Sequence, residues 1–152
     1  LSPFETDAPL LRTARAVNDA MPHFAVSKLA AGLDRAGVPL HDARVVLLGL
    51  TYRPGIAETR NSPALPVARA LANAGTTVYG VDPVLDDTSE FPLTPVSVDE
   101  LASLDLDAAV LVTAHDAFDD VDWDAFDPLV VVDGRGALAL EGTTHDVYTI
   151  GR

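Results

Sequence analysis

Cysteine is absent from the 152-residue chain, which excludes disulfides, thiolate metal sites and thiol nucleophiles from anything the chain does by itself. Lysine is nearly absent too. Lys28 stands beside nine arginines, and these 10 bases face 23 acids, 18 of them aspartate, for a formal net charge of −13. An acidic excess of this size rules out general affinity for a phosphate backbone or an anionic membrane surface. Aromatic residues make up only 6% of the chain, so a core has to be built from Val, Leu and Ala. No apolar run approaches the roughly 18 residues of a membrane span, and the opening Leu1-Ser2-Pro3-Phe4-Glu5-Thr6 has neither the basic nor the apolar region of a signal peptide. The expectation is a soluble, cytoplasmic protein with no nucleic-acid or membrane partner. Leu1 in place of Met predicts a piece of a longer polypeptide.

What is present reads as one α/β domain with a helical segment in front of it. From Asp7 to about Gly37, Leu10, Leu11, Ala14, Val17 and Met21 recur near a 3.6-residue spacing, and Pro22 makes this either one kinked helix or two helices meeting near Met21. The division is predicted at residues 1–40, helical, and 41–152, α/β. Arg44-Val45-Val46-Leu47-Leu48-Gly49 suits a strand buried on both faces. Ser62-Pro63 supplies an N-cap and a first-turn proline for a helix reaching Ala74, closed by Gly75. Further strands are expected at Thr77–Val81, Ala108–Thr113, Leu129–Asp133 and, at an edge, Val147–Ile150. Ser97 and Glu100 form a capping box for a short helix ending near Leu104. Asp122–Phe126 predicts a helical turn, and 85–96 reads as loop. Strands alternating with helices imply a parallel sheet.

Ligands of such sheets bind beyond the carboxyl ends of the strands. The loops meeting that criterion are 50–61, 82–86, 114–118 and 134–136, and three of the nine arginines, Arg53, Arg60 and Arg135, lie in them. Planar guanidinium forks match phosphate or carboxylate oxygens, so this grouping points to an anionic ligand. The fingerprint G-x-G-x-x-G is missing after the first strand, so the sheet is not expected to cradle a dinucleotide pyrophosphate. Asp82 ends the second strand where such folds place a ribose-binding acid; formation of a turn with Pro83 is the competing role. His115 is expected to bond loop atoms, Ser62 to cap a helix, and Trp123 with Phe126 to pin an acidic turn to the core. His23, His41 and His145 lack ligand spacing, and Asp120-x-Asp122-x-Asp124 imitates a calcium loop without its glycine or closing glutamate, so neither catalytic nor metal-binding residues are assigned.

The run Leu48-Gly49-Leu50-Thr51-Tyr52-Arg53-Pro54-Gly55-Ile56-Ala57-Glu58-Thr59-Arg60-Asn61-Ser62-Pro63-Ala64 resembles the signature G-x-[AT]-[FY]-K-P-x-x-x-[DE]-x-R-x-S-P-[AS] of the C-terminal, UDP-binding domain of the UDP-glucose/GDP-mannose dehydrogenase family. His115-Asp116-Ala117-Phe118, Asp122-Trp123, Val131-Val132-Asp133-Gly134-Arg135 and Tyr148-Thr149-Ile150-Gly151 follow in the family's order. Residues 11–22 are similar to the end of its central dimerisation region. The resemblance implies a three-layer Rossmann-like parallel sheet with helices on both faces. It also implies a role in oxidising the C6 hydroxymethyl of a nucleotide sugar to a carboxylate, with two hydride transfers to NAD. The NAD-binding domain and the catalytic cysteine of that family are not in this chain, which by resemblance would be inactive alone, work with that N-terminal domain and dimerise as part of the complete enzyme. By the same resemblance Tyr52, Arg53 and Arg135 contact the UDP-sugar and Arg60 approaches NAD. Glu58 would orient Arg60 or a neighbouring amide. Arg53 replaces the family's lysine, a planar fork for a point charge.

Two functions stay open at this point: the substrate-binding lobe of an NAD-dependent UDP-sugar dehydrogenase acting on UDP-glucose or a UDP-N-acetylhexosamine, and a noncatalytic nucleotide-binding or oligomerisation module. The aspartate and arginine bias resembles that of proteins working in high salt. Salt shortens the reach of charge repulsion from about 30 Å at 0.01 M to about 3 Å at 1 M, so the thermal midpoint of the chain is expected to rise over that range of KCl. A midpoint that is flat or falls in calorimetric scans would remove self-repulsion as a control on stability.

Overall fold

The computed structural model describes residues 8–138, 140 and 143–149, with the backbone alone for 8–21. A single α-helix, α1 (Ala8–Arg35), precedes the sheet and carries Pro22 inside it; the expected start at Asp7 lies outside the described residues. The strands are β1 (Arg44–Leu48), β2 (Thr77–Val81), β3 (Thr94–Pro95), β4 (Ala108–Leu111), β5 (Val130–Asp133) and β6 (Asp146–Thr149), and α2 (Ala64–Asn73) connects β1 to β2. Every strand pair is parallel and the spatial order is β3-β2-β1-β4-β5-β6. The order reverses between β1 and β4, which opens a crevice at their carboxyl ends.

The near-continuous apolar strands are buried on both sides, with side chains alternating between two cores. Val45 and Leu47 of β1, Val110 of β4 and Val130 and Val132 of β5 meet Ala25, Leu29 and Leu33 of α1 and Val67, Ala68 and Leu71 of α2. On the opposite face Val46, Leu48, Ala109, Leu111 and Val131 meet Leu101, Phe118 and Trp123. That second face is covered by short 3₁₀ helices at Leu101–Ser103, Asp116–Asp120 and Trp123–Ala125. The molecule is therefore a three-layer Rossmann-like α/β fold, α-helical on one face and 3₁₀-helical on the other.

Tertiary burial anchors the part of α1 that follows Pro22. A proline inside a helix costs about 3 kcal/mol, whereas burying one leucine stabilises by about 1.5–3 kcal/mol. Leu29 and Leu33, both after Pro22, are fully buried against the sheet, which holds that part of the helix in place. The helix then closes where glycine predicts: Val38 N–H donates to Leu33 O at 2.9 Å and Gly37 N–H to Asp34 O at 3.0 Å, with Gly37 at φ 80°. The same pair of bonds ends α2, from Thr76 to Leu71 and from Gly75 to Ala72.

Local signals elsewhere shorten or survive. Ser62 Oγ accepts the Ala64 N–H at 3.2 Å, and Pro63 already has helical φ and ψ, so the cap sits where expected. The capping box closes in both directions, Ser97 N–H to Glu100 Oε1 at 3.0 Å and Glu100 N–H to Ser97 Oγ at 3.2 Å. It opens only a 3₁₀ turn ending at Leu104. Strand β3, inside the stretch expected to be loop, is an edge strand of two residues. Its Pro95 cannot extend a ladder and protects the sheet edge from a further strand. Of the expected edge strand Val147–Ile150, Ile150 lies outside the described residues. Among the described residues no helix is long and apolar enough to cross a membrane.

Gly49 makes the crevice possible. Its φ is 88°, and a Cβ there would fall 2.6 Å from Thr113 Cβ and 2.7 Å from Thr113 N. At Gly37 nothing lies within 4 Å of such a Cβ. Gly49→Ala should therefore cost more than about 2 kcal/mol in urea unfolding, combining strain with a backbone clash, against about 1 kcal/mol for Gly37→Ala, where only the left-handed backbone opposes the change. Equal costs would show that β1 and β4 can part at this end without penalty.

Candidate functional site

The site is built at the carboxyl ends of β1, β2, β4 and β5, and its organising group is Asp82. This residue follows β2, and its side chain is fully buried. Oδ2 accepts the N–H of Leu50 at 2.8 Å and of Thr51 at 3.1 Å. Oδ1 accepts the N–H of Val84 at 3.0 Å and of Leu85 at 3.2 Å. His115 Nε2 lies 3.1 Å from Oδ2. A carboxylate with both oxygens committed to the protein has no lone pair to offer a ribose. Its turn role prevails, extended to a clamp on the β1 loop that no local sequence signal announces.

His115 is buried after β4 and works as a strut. Its Nδ1 accepts the Gly55 N–H at 3.3 Å, and its Nε2 is 3.1 Å from Thr51 Oγ1 as well as from Asp82. Thr51 Oγ1 in turn donates to the Arg53 carbonyl at 3.1 Å, while Thr113 Oγ1 donates to the Thr51 carbonyl. Among the described residues every buried side-chain nitrogen and oxygen has a partner. His115 thus has the loop-bonding part read from its position. His145 is likewise structural, accepting the Leu129 N–H at Nδ1, 2.9 Å, with Nε2 2.8 Å from the Trp123 carbonyl. Trp123 packs against Phe126 with ring centroids 5.7 Å apart and is buried in the second core. Among the described residues no three metal-ligating side chains converge.

The network presents an exposed loop. Tyr52 and Arg53 stand on it, the Arg53 guanidinium carbon 5.6 Å from the Tyr52 ring centroid. Tyr52 N–H donates to the Glu58 carbonyl at 2.7 Å, closing the loop on itself. Arg60 is exposed just ahead of α2. Glu58 corrects its expected role: its exposed carboxylate has no ion-pair partner among the described residues, and its main-chain carbonyl does the bonding instead. Across the crevice Asp133 ends β5 and takes the N–H groups of Arg135, Gly136 and Leu138 at 2.9, 2.7 and 2.9 Å. Arg135 Nε donates to the Val112 carbonyl at 2.9 Å, which lays its guanidinium over the end of β4.

Arg53 and Arg135 therefore leave β1 and β5, the two strands flanking β4, from the same edge of the sheet. Strands two apart are separated by about 10 Å. Among the described residues neither arginine, nor Arg60, forms an ion pair, although Arg35 and Arg44 pair with Asp146 and Asp105. Two guanidinium groups without carboxylate partners at the rim of an otherwise acidic chain make an anion-attracting mouth.

Residues 46–140 match the family model for the UDP binding domain of the UDP-glucose/GDP-mannose dehydrogenase family. The chain belongs to this family. The UDP-N-acetyl-D-mannosamine dehydrogenase of Pyrococcus horikoshii is 32% identical over 142 residues, covering 91% of this chain and 32% of that protein. The UDP-glucose 6-dehydrogenase AglM of Haloferax volcanii is 35% identical over 133 residues, 83% of this chain and 29% of that protein. The solved structure of the Pyrococcus horikoshii UDP-D-ManNAc dehydrogenase superposes with a TM-score of 0.74 at 29% identity, covering 94% of this chain and 34% of that one. An NDP-N-acetyl-D-galactosaminuronic acid dehydrogenase from Methanosarcina mazei gives 0.79 at 26% identity, over 92% and 31%. This chain thus spans about a third of the length of the family members it matches.

Asp82→Asn tests the clamp. An amide nitrogen turned to either side would face N–H donors that the carboxylate now accepts, so unfolding should become easier by about 2–3 kcal/mol in urea titration. An unchanged midpoint would mean that water or a shifted loop can replace the carboxylate.

Proposed function

We propose that this chain holds the UDP-sugar in an NAD-dependent nucleotide-sugar 6-dehydrogenase, with residues 41–152 as the UDP-sugar lobe and residues 1–40 as the end of the central helical region. The observation that carries the reading is the pair Arg53 and Arg135, which follow β1 and β5 on either side of β4 at the same edge of the sheet and form no ion pair among the described residues. In this reading they neutralise the diphosphate. Tyr52, exposed at the loop tip, packs on the nucleotide sugar. The family match and the names of its relatives support UDP as the nucleotide and a hexose or N-acetylhexosamine as the sugar.

The residues of this sheet do not fit NAD as its resident group. The glycine fingerprint is missing after β1 and Asp82 is spent, so no hydride chemistry is assigned to the crevice. The oxidant belongs to a separate nucleotide-binding domain and the covalent chemistry to a cysteine, neither supplied by this chain. Arg60, on the rim beside α2, approaches NAD from outside its binding fold. The chain by itself binds and does not oxidise, and the complete enzyme is a cytoplasmic homodimer adapted to salt that feeds uronic acids into polysaccharide synthesis.

Calorimetry with UDP, at a salt concentration that keeps the chain folded, tests the assignment. Losing one charge-assisted contact to phosphate costs about 1.5–3 kcal/mol, so Arg53→Ala and Arg135→Ala should each weaken UDP by roughly ten- to a hundredfold. Arg60→Ala should leave UDP affinity within about twofold and, in the complete enzyme, weaken NAD use. Equal losses for all three arginines would overturn the division, and wild-type affinity in the Arg53 and Arg135 variants would overturn the site.

A further inference from the structure

We infer that His115 is a positioning residue for Arg53, acting by holding the Gly55 amide on the far side of the Arg53 turn rather than through the ligand. The inference rests on the reading that Arg53 holds a diphosphate. It is carried by where the bonds fall. The main chain around Arg53 is tied down three times: Leu50 and Thr51 N–H by Asp82, the Arg53 carbonyl by Thr51 Oγ1, and Gly55 N–H by His115. The loop itself has little packing to hold it, since Tyr52 is 37% and Ile56 47% exposed. The polar ties therefore set its shape.

The bond directions leave one arrangement. Gly55 presents an N–H, so Nδ1 of His115 must offer a lone pair and the ring proton sits on Nε2. Thr51 gives its hydroxyl proton to the Arg53 carbonyl, so at its contact with His115 it accepts. The Nε2–H is shared between Asp82 Oδ2 and Thr51 Oγ1, each 3.1 Å away. His115 thus ties the far side of the Arg53 turn to the end of β4 through Nδ1, while Asp82 and Thr51 orient its ring through Nε2. It rests edge-on against Phe118, centroids 5.6 Å apart, which fixes the ring from the second core.

Two replacements split the two functions of the ring. Asparagine places an oxygen where Nδ1 stands and keeps the acceptor for Gly55; glutamine places its amide nitrogen near the Nε2 position and keeps the donor to Asp82 but leaves Gly55 unheld. His115→Gln should weaken UDP by about tenfold, and His115→Asn should stay within about twofold of wild type. In an Arg53→Ala background the glutamine change should cost nothing more, because its effect passes through Arg53. Gly55 amide exchange, followed by NMR, should speed up in His115→Gln and not in His115→Asn. Thr51→Val, which frees the Arg53 carbonyl with almost no change of shape, provides a second route if a histidine variant fails to fold, with the same loss of affinity expected. Equal losses in both histidine variants that track their thermal midpoints, or a full loss persisting in the Arg53→Ala background, would overturn the inference. Failure of the wild-type chain to bind UDP would instead refute the proposed function. In that event unchanged Gly55 exchange in His115→Gln would overturn the positioning role as well.

Discussion

A carboxylate removed from water must be repaid by hydrogen bonds or it destabilises the fold by several kcal/mol. Asp82 is repaid from two sides, by amides of the turn that follows it and by amides of the loop that follows β1. That requirement couples β2 to β1 at the end of the sheet where a ligand enters. His115 extends the coupling to β4 through the same oxygen, Oδ2. The crevice at the reversal of strand order is for this reason not an open slot between independent loops. Its floor is one polar network on which Arg53 stands, while Arg135 is held beside it by Asp133 and the Val112 carbonyl.

The position Asp82 occupies is the one from which an acid reaches a ribose in dinucleotide-binding sheets. Here the same topology has that acid turned inward. A sheet of this strand order can thus lose the cofactor role and keep the crevice, because the fold requires only that the buried groups be satisfied, by ligand or by protein. In the proposed reading the arginines determine what the crevice attracts. Among the described residues Arg53 and Arg135 are held by backbone and ring contacts and not by carboxylates, in a chain of net charge −13. In that reading, acidic repulsion elsewhere and local attraction at the mouth together favour an anion that bridges the two guanidinium groups.

Within the fold, local and tertiary requirements agree most closely at the helix ends. Gly37 and Gly75 close helices with the bond pairs their positions suggest, and Ser62 and the Ser97–Glu100 pair satisfy the amides expected of them. Local chemistry set the place of each cap and not the length of what followed. After Ser97 the next strand begins at Ala108, leaving no room for a packed α-helix, and a 3₁₀ turn results. Pro22 illustrates the opposite outcome, a local helix breaker inside a continuous helix whose following turns are anchored by buried Leu29 and Leu33.

Strand positions, parallel order, helix caps and the arginine-bearing loops were legible in the sequence because each depends on neighbours within a few residues: apolar runs, capping pairs, glycine at a left-handed turn. The sequence motif also sufficed to assign the family. Strand β3 was not legible, since two residues containing a proline carry no period. The Asp82–His115–Thr51 network was equally invisible, because its members lie 31 to 64 positions apart and hydrogen-bond partners at such separations leave no local signal. Glu58 looked functional by its side chain and acts through its carbonyl, which any residue would provide. Sequence by itself determined which groups reach the rim of the sheet; only the tertiary structure decided which of them are buried in the floor and which stay exposed, because desolvation and pairing are properties of the packed chain.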